Sequence, residues 1–162
     1  MDNDSIFYDA KRFDAVWKRV SESAGNSTAG DEEIMLKFIE DEYGDMKLYR
    51  YLARNTRGNA RGVFVAAAED EARHFRALRT RYYILTGQAV SPGHSSAMPP
   101  AGFSLSAVLR ERYEAESAGA AAYLGTAEKA QKRDIAEMYR RFSADETRHS
   151  RQIWFLLSKI IG

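Results

Sequence analysis

The sequence predicts an all-α fold, an antiparallel four-helix bundle made of two helical hairpins and one long crossover. Apolar residues recur three and four positions apart through most of the chain, the spacing of amphipathic helices rather than strands. All three prolines fall within residues 86–102, a stretch also rich in glycine and serine. On each side of that stretch a short polar break separates two helical segments. Together these three observations predict four helices joined in pairs.

The first predicted hairpin precedes the proline-rich stretch. Its first helix extends from about Asp31 to Arg54 and opens with three acidic residues, which the helix dipole favours at an N-terminus. A break at residues 55–62 (NTRGNARG) leads to a second helix that ends near Leu85. Both helices carry an apolar stripe, so we expect them to pack against each other.

The second predicted hairpin has one helix from about Ser104 and another from about Arg133. Two short-turn hairpins with a crossover at residues 86–103 describe a four-helix bundle of the ferritin-like kind. We expect residues 31–162 to form this bundle as a single domain. Residues 1–30 are predicted to hold a shorter amphipathic helix and a linker, with the helix lying against the bundle or a second subunit.

Length and charge narrow the function classes. A chain of 162 residues suits one domain with its own core. The net charge is +1, and the sequence shows neither an overall basic excess nor an obvious basic stripe. We therefore expect no binding to nucleic acid. The longest apolar run, residues 63–68, is far shorter than the roughly 20 residues that span a bilayer, so no membrane association is expected.

Cysteine usage and the N-terminus narrow the compartment and the chemistry. The chain contains no cysteine, which excludes disulfides, thiolate catalysis and cysteine-bound zinc, haem or iron–sulfur sites. The acidic N-terminal residues differ from the basic and then apolar start of a signal peptide. A cytoplasmic location is therefore the expectation.

A five-residue frame, Asp-Glu-x-Arg-His, occurs twice. It reads DEARH at residues 70–74 and DETRH at residues 145–149, and it uses two of the three histidines of the chain. In each frame the glutamate and the histidine are three residues apart, so both point to one side of a helix. The two frames lie at matching places in the second and fourth predicted helices, which indicates an internal repeat.

Each predicted helix has one glutamate at a position that its apolar spacing assigns to the core. In an antiparallel hairpin, positions equally distant from the turn face each other. With turns near residues 57 and 131, Glu42 and Glu71 lie almost equally far from the first turn, and Glu116 and Glu146 lie equally far from the second. His74 and His149 follow one helical turn further on, so all six side chains are predicted at a similar height in their hairpins.

Four buried carboxylates need compensating cations, because unpaired charges are very costly inside a protein. Four carboxylates and two imidazoles are the ligands that two adjacent divalent iron or manganese ions require. The predicted metal ligands are therefore Glu42, Glu71, His74, Glu116, Glu146 and His149. An isolated Glu-x-x-His is usually a solvated pair, but two such pairs with matching glutamates favour a dinuclear site.

Neighbouring residues are predicted to support these ligands. Asp70 and Asp145 are placed to accept the free ring N–H of a ligand histidine, with Arg73 and Arg148 holding the aspartates. The alternative is that each aspartate forms an ordinary ion pair with the arginine three residues on. Tyr49 and Tyr123, seven residues beyond Glu42 and Glu116, return to the inward face. They are expected either to hydrogen-bond ligand carboxylates or to serve as core aromatics.

These motifs resemble the rubrerythrin branch of the ferritin-like superfamily over residues 31–161. The segment EYGDMKLYRYLA from Glu42 is similar to the first-helix motif of that family, and DEARH and DETRH are similar to its two Glu-x-x-His helices. The resemblance implies a non-haem di-iron centre that reacts with hydrogen peroxide or dioxygen, and a role in oxidative stress. It also implies a homodimer or a larger assembly.

Two departures from the rubrerythrin pattern qualify that expectation. Without cysteines the chain has no rubredoxin-like iron domain, so turnover requires an external electron donor. Rubrerythrins also carry a further glutamate one turn past the third-helix ligand, where this chain has Gly119. That difference puts peroxidase specialisation in question, and we expect the small residues there to leave room beside the metals for a small molecule.

Three functions remain open from the sequence. The leading prediction is a di-iron peroxidase or oxidase. The alternative is a metal-binding or iron-handling bundle, with iron, manganese or zinc and no redox turnover. A third class is a bundle that keeps the ligands but acts through a partner, by way of residues 7–17 or the crossover.

Overall fold

The computed structural model describes residues 30–93 and 98–161, and in these ranges it contains four helices and no strand. They are α1 (Asp31–Asn55), α2 (Gly58–Thr86), α3 (Leu105–Lys129) and α4 (Arg133–Ile161). The predicted all-α, four-helix fold class is thus confirmed. The predicted N-terminal helix lies outside the described residues. Across the described ranges, no helix combines the length and apolar composition that crossing a bilayer requires.

The first hairpin consists of α1 and α2, joined by residues 56 and 57 alone. The predicted break at residues 55–62 is too long, since α2 already begins at Gly58. Gly58 has a φ of +61°, a left-handed conformation that glycine adopts without a Cβ penalty, so the chain reverses within very few residues. The first turn of α2 consists mainly of polar and glycine residues, so the apolar periodicity places the start of the helix too late in the sequence.

The second hairpin consists of α3 and α4, and its helix starts agree with the sequence prediction. Ser104 caps α3, because its side chain accepts a 3.4 Å hydrogen bond from the Ala107 N–H. α4 begins at Arg133, so residues 130–132 alone join the two helices. The buried side chains of α3 and α4 include apolar residues at the helical spacing that the sequence shows, so their shared face is the core of this hairpin.

The crossover starts where α2 ends. Gly87 adopts the left-handed conformation at the C-cap, with a φ of 71°, and its N–H donates to the Tyr83 carbonyl at 2.8 Å. Further along, the Pro99 carbonyl accepts a 2.9 Å hydrogen bond from the Tyr51 hydroxyl of α1. The later part of the crossover is therefore attached to the first hairpin.

The internal repeat is visible in the aromatic contacts of the two hairpins. In the first, Tyr49 and Phe64 stack with ring centroids 5.9 Å apart, and in the second Tyr123 and Tyr139 stack at 5.8 Å. The interval in sequence from Tyr49 to Tyr123 is nearly the same as the interval from Phe64 to Tyr139. Since the glutamates and histidines repeat at matching intervals, each hairpin presents the same set of groups in the same places.

Candidate metal centre

The first hairpin brings Glu42, Glu71 and His74 together, and we call these three residues the first half-site. The His74 Nδ1 atom lies 3.3 Å from a Glu42 carboxylate oxygen and 3.2 Å from a Glu71 oxygen. All three side chains are buried, and one ligand atom from each lies within 4.8 Å of the other two. The prediction that Glu42 of α1 meets the Glu-x-x-His pair of α2 thus agrees with the structure.

The second hairpin repeats the arrangement with Glu116, Glu146 and His149, which we call the second half-site. The His149 Nδ1 atom lies 3.1 Å from a Glu116 oxygen and 3.7 Å from a Glu146 oxygen. Again one ligand atom from each residue lies within 4.8 Å of the other two. No residue of either half-site is more than 5% exposed, so these carboxylates have left bulk water.

Helix geometry explains how each half-site forms. A glutamate and a histidine three residues apart on α2 or α4 share one face, and the facing helix contributes its glutamate from the same height. In the first hairpin, buried apolar residues lie on both sides of this layer, among them Ile39 on α1 and Ala67 on α2. The polar groups therefore occupy a defined layer within an otherwise apolar stripe.

The donor separations match the coordination shell of a divalent ion. Ligand atoms about 2.1 Å from a metal lie about 3.0 Å apart at adjacent octahedral positions and about 3.4 Å apart in a tetrahedron. The observed Nδ1–oxygen separations within each half-site run from 3.1 to 3.7 Å. Carboxylate oxygen with imidazole nitrogen is a donor set that iron, manganese and zinc all accept. Each half-site can therefore hold a metal ion.

Electrostatics favours a cation at these positions. In each half-site two carboxylates face one imidazole, so the histidine, even when protonated, balances only one of the two carboxylates. A single Nδ1–H can donate a well-aligned hydrogen bond to only one of the two carboxylates. A cation placed between the Nδ1 atom and the two carboxylate oxygens attracts all three atoms. Buried carboxylates need compensating positive charge, and a metal ion among these atoms would supply it.

The aspartates and arginines of the two frames form the same ion pair in both hairpins. Asp70 pairs with Arg73, and Asp145 pairs with Arg148, in each case across three residues of one helix. The aspartates are the more buried partners, and the arginines are about half-exposed. These ion pairs are expected under both alternatives, and acceptance of a histidine N–H by Asp70 or Asp145 stays a prediction.

Tyr49 and Tyr123 are both buried on the inward faces of α1 and α3, where the seven-residue spacing places them. Tyr49 stacks on Phe64, and Tyr123 contacts Tyr139 and the edge of Phe142. These contacts establish both tyrosines as core aromatics. Hydrogen bonding of either hydroxyl to a ligand carboxylate stays a prediction.

Arg112 is a buried charge that the sequence reasoning missed. It is only 3% exposed and lies on α3 one helical turn before Glu116. The corresponding position of α1, one turn before Glu42, is Phe38. The signal was present in the sequence, because Arg112 falls between Leu109 and Glu116 on the apolar stripe of α3. α3 therefore carries a buried arginine one turn before its ligand glutamate, at the position where α1 has Phe38.

Gly119 lies directly against a predicted ligand. A Cβ at this position would meet the Glu146 side chain at 3.6 Å, an ordinary van der Waals distance. Tyr113, the aromatic residue nearest in sequence on the N-terminal side, instead packs against Trp154 with ring centroids 5.4 Å apart. Position 119 therefore has room for a small side chain, which would contact the side chain of Glu146 in the second half-site.

Comparisons with known proteins establish the fold and leave the family open. No protein-family model matches the chain, and no curated protein matches it. A solved structure, that of a hypothetical protein from Pyrococcus furiosus, is similar with a TM-score of 0.70 and 19% sequence identity. The similarity covers 88% of this chain and 95% of that protein. The chain shares its all-helical fold with that protein.

Proposed function

We propose that the two half-sites form one dinuclear metal centre and that the protein is a non-haem di-iron oxidoreductase acting on hydrogen peroxide or dioxygen. The observation that carries the proposal is the duplicated, buried set of two carboxylates and one imidazole. The equal height of the six residues in their hairpins supports a shared centre, and so does the resemblance of both frames to the rubrerythrin motif.

A pair of iron ions, when bound, supplies two electrons for the reduction of peroxide or dioxygen. The protein groups do the rest. His74 and His149 each present Nδ1 toward two carboxylates, which orients the imidazole ring and defines one coordination position per half-site. The carboxylates balance the positive charge of the cations, and their burial keeps bulk water away from the reactive layer.

The ion pairs next to the ligands act as positioning groups. Asp70 and Asp145 each precede a ligand glutamate by one residue, and Arg73 and Arg148 each precede a ligand histidine by one residue. Each pair joins two side chains of one helix across three residues, so it stabilises the helical turn that carries the ligand glutamate and histidine. Such support keeps ligand geometry constant through a change in metal charge.

Stopped-flow spectroscopy tests the proposed reaction. The protein is loaded anaerobically with ferrous iron and mixed with hydrogen peroxide or with oxygenated buffer. We expect a rapid rise in near-ultraviolet absorbance from ferric iron bound by carboxylates. A protein that retains two iron ions per chain and shows no rise faster than ferrous iron in buffer would contradict the proposal.

A metal-binding function without redox turnover is the second candidate, and Gly119 is the observation that favours it. The rubrerythrin-type extra carboxylate is missing where Gly119 adjoins Glu146, so the second half-site has fewer ligands than a peroxidase of that type. Metal analysis of protein purified without added metal separates the two functions. Zinc in both positions, with no iron, favours the second candidate.

Replacing Gly119 tests whether that position governs the second half-site. Gly119→Glu is expected to lower the melting temperature of metal-free protein, because a further carboxylate adjoins Glu146. With manganese or ferrous iron bound, we expect Gly119→Glu to raise the melting temperature instead, since the same carboxylate becomes a metal ligand. Differential scanning fluorimetry with EDTA and with metal measures both values.

Gly119→Ala is the matched control. It adds a Cβ at ordinary contact distance from Glu146 and no charge, and alanine favours a helix interior over glycine by about 0.5–1 kcal/mol. We therefore expect a small stabilisation that is the same with and without metal. A metal-independent effect of Gly119→Glu as well would show that position 119 is remote from the bound ions.

A further inference from the structure

The first hairpin has a cationic cleft on its surface. The cleft has a volume of about 600 Å³ and lies between α1 and α2. Two arginines come from α1 and three from α2: Arg50, Arg54, Arg61, Arg73 and Arg76. Small apolar side chains lie between them, including Ala53, Ala68 and Ala72. Since Arg61 and Arg76 are about four helical turns apart on α2, the cleft is a groove about 22 Å long.

Most of this positive charge is available for a ligand. Arg50, Arg54, Arg61 and Arg76 are exposed, and none of them forms an ion pair with a residue in the described part of the chain. Arg73 pairs with Asp70, and Glu69 is the one acidic residue among the described residues that line the groove. A net positive, solvent-accessible groove attracts negatively charged partners and speeds their association.

The charge is also segregated along the chain, which the total of +1 conceals. Residues 46–68 contain five basic residues and no acidic one. They include the end of α1 and the beginning of α2, so the positive charge collects at the turn end of this hairpin. The sequence shows neither an overall basic excess nor an obvious basic stripe, because the arginines of this groove come from two helices.

The groove lies behind the first half-site. Ala72 lines the groove and directly follows Glu71, whose side chain points into the buried layer. Around α2, Glu69, Arg73 and Arg76 lie about 140–160° from the direction of Glu71, whereas Ala68 lies about 60° from it. A partner that contacts the arginines would therefore be separated from the half-site by at most the width of one helix, about 10 Å. Electrons tunnel between protein-bound centres across such a thickness.

We propose that this groove docks an acidic electron-donor protein. The inference rests on the proposed function, which requires an external reductant because the chain has no cysteine to hold an iron–sulfur centre. Each reduced one-electron donor loses one electron. Two such electrons and two protons balance the reduction of one hydrogen peroxide to two waters.

The lining favours a protein over nucleic acid as the partner. Among the described residues, no aromatic side chain lines the groove for base stacking, and Glu69 would repel a phosphate backbone. The floor of alanine with Val65, which is 41% exposed, instead suits apolar side chains of a protein surface. An apolar centre with a charged rim is the usual anatomy of a protein–protein interface.

Binding to a redox-silent form of the protein tests the docking surface separately from turnover. The probe is a small acidic plant-type ferredoxin, titrated by calorimetry into zinc-loaded protein. Arg50→Glu/Arg54→Glu is expected to raise the Kd about tenfold or more, because two attractive contacts become repulsive. Arg61→Glu/Arg76→Glu, on the other helix, should do the same. Wild-type binding should weaken as salt is raised.

The matched control is Arg110→Glu/Arg141→Glu, which changes the net charge equally on exposed positions of α3 and α4. It should bind ferredoxin like wild type. Equal Kd values for all variants, or no wild-type binding at low salt, would overturn the docking surface. So would a single-stranded oligonucleotide that displaces ferredoxin from the groove at lower concentration than ferredoxin itself binds.

A second measurement separates failure of docking from failure of the proposed function. In the iron-loaded, oxidised protein, reduced ferredoxin should deliver electrons at least tenfold more slowly to Arg50→Glu/Arg54→Glu than to wild type. Dithionite, a small reductant, should reduce both at the same rate. Slow reduction of the variant by dithionite as well would overturn the docking role. Wild-type protein that binds ferredoxin but does not react with peroxide would refute the proposed function alone.

Discussion

Glu71→Gln/Glu146→Gln is expected to unfold at a higher temperature than wild type without metal and at a lower temperature with metal. Each half-site holds two buried carboxylates against one imidazole. Converting one carboxylate per half-site into the isosteric amide lowers the buried negative charge by one in each half-site and retains shape. Without metal this relieves a burial cost, and with metal it removes a charged ligand from each half-site.

The two effects differ in size as well as sign. We expect the metal-free variant to gain about 1–2 kcal/mol, roughly 2–8 °C in melting temperature for a chain of this length. At a metal concentration 100-fold above the dissociation constant, each bound ion stabilises the folded protein by about 2.7 kcal/mol. Loss of both ions therefore costs about 5 kcal/mol. Thermal melting in EDTA and in excess manganese or zinc measures both shifts.

Glu40→Gln/Glu128→Gln serves as the control, because it changes the formal charge equally at two exposed positions. That variant should melt close to wild type under both conditions, within about 0.5 kcal/mol. A metal-free Glu71→Gln/Glu146→Gln protein that is less stable than wild type would mean that the carboxylates are already compensated without metal. The metal centre would then lose its electrostatic basis.

The helices could be predicted from the sequence because their signals are local. Asp31 begins a helix after Gly30, Ser104 caps α3, and Gly87 ends α2, so each boundary depends on residues next to it. The first turn is harder to place. A single left-handed glycine, Gly58, reverses the chain, and composition alone cannot distinguish that reversal from a longer polar loop.

The half-sites could be predicted because carboxylates interrupt apolar stripes at matching heights. Each Glu-x-x-His pair is a local pattern. In a two-helix hairpin, a short turn fixes which residues of the neighbouring helix lie opposite that pair. The arginine groove could not be predicted in the same way. Its arginines come from two helices, and each one alone resembles an ordinary exposed residue. Only the hairpin geometry shows that they line one groove.

Arg112→Leu is expected to destabilise metal-free protein and to tighten metal binding in the second half-site. Arg112 is buried one turn from Glu116, so its guanidinium offsets negative charge when no metal is present. Removing one member of a buried charge cluster costs about 3 kcal/mol, or roughly 6–12 °C in melting temperature for this length. The same positive charge repels a divalent cation, and its removal should raise affinity about tenfold.

Urea unfolding in EDTA gives the stability change, and zinc titration against a chelating indicator gives the affinity. In wild type we expect the first half-site, which has Phe38 in the equivalent position, to fill before the second. Arg112→Leu should bring the two binding steps closer together and leave the first unchanged. Arg110→Leu, an exposed change on the same helix, should alter neither step. If Arg112→Leu lowered the zinc affinity, Arg112 would instead be a group that orients the ligands, since loss of a repelling charge can only favour the metal.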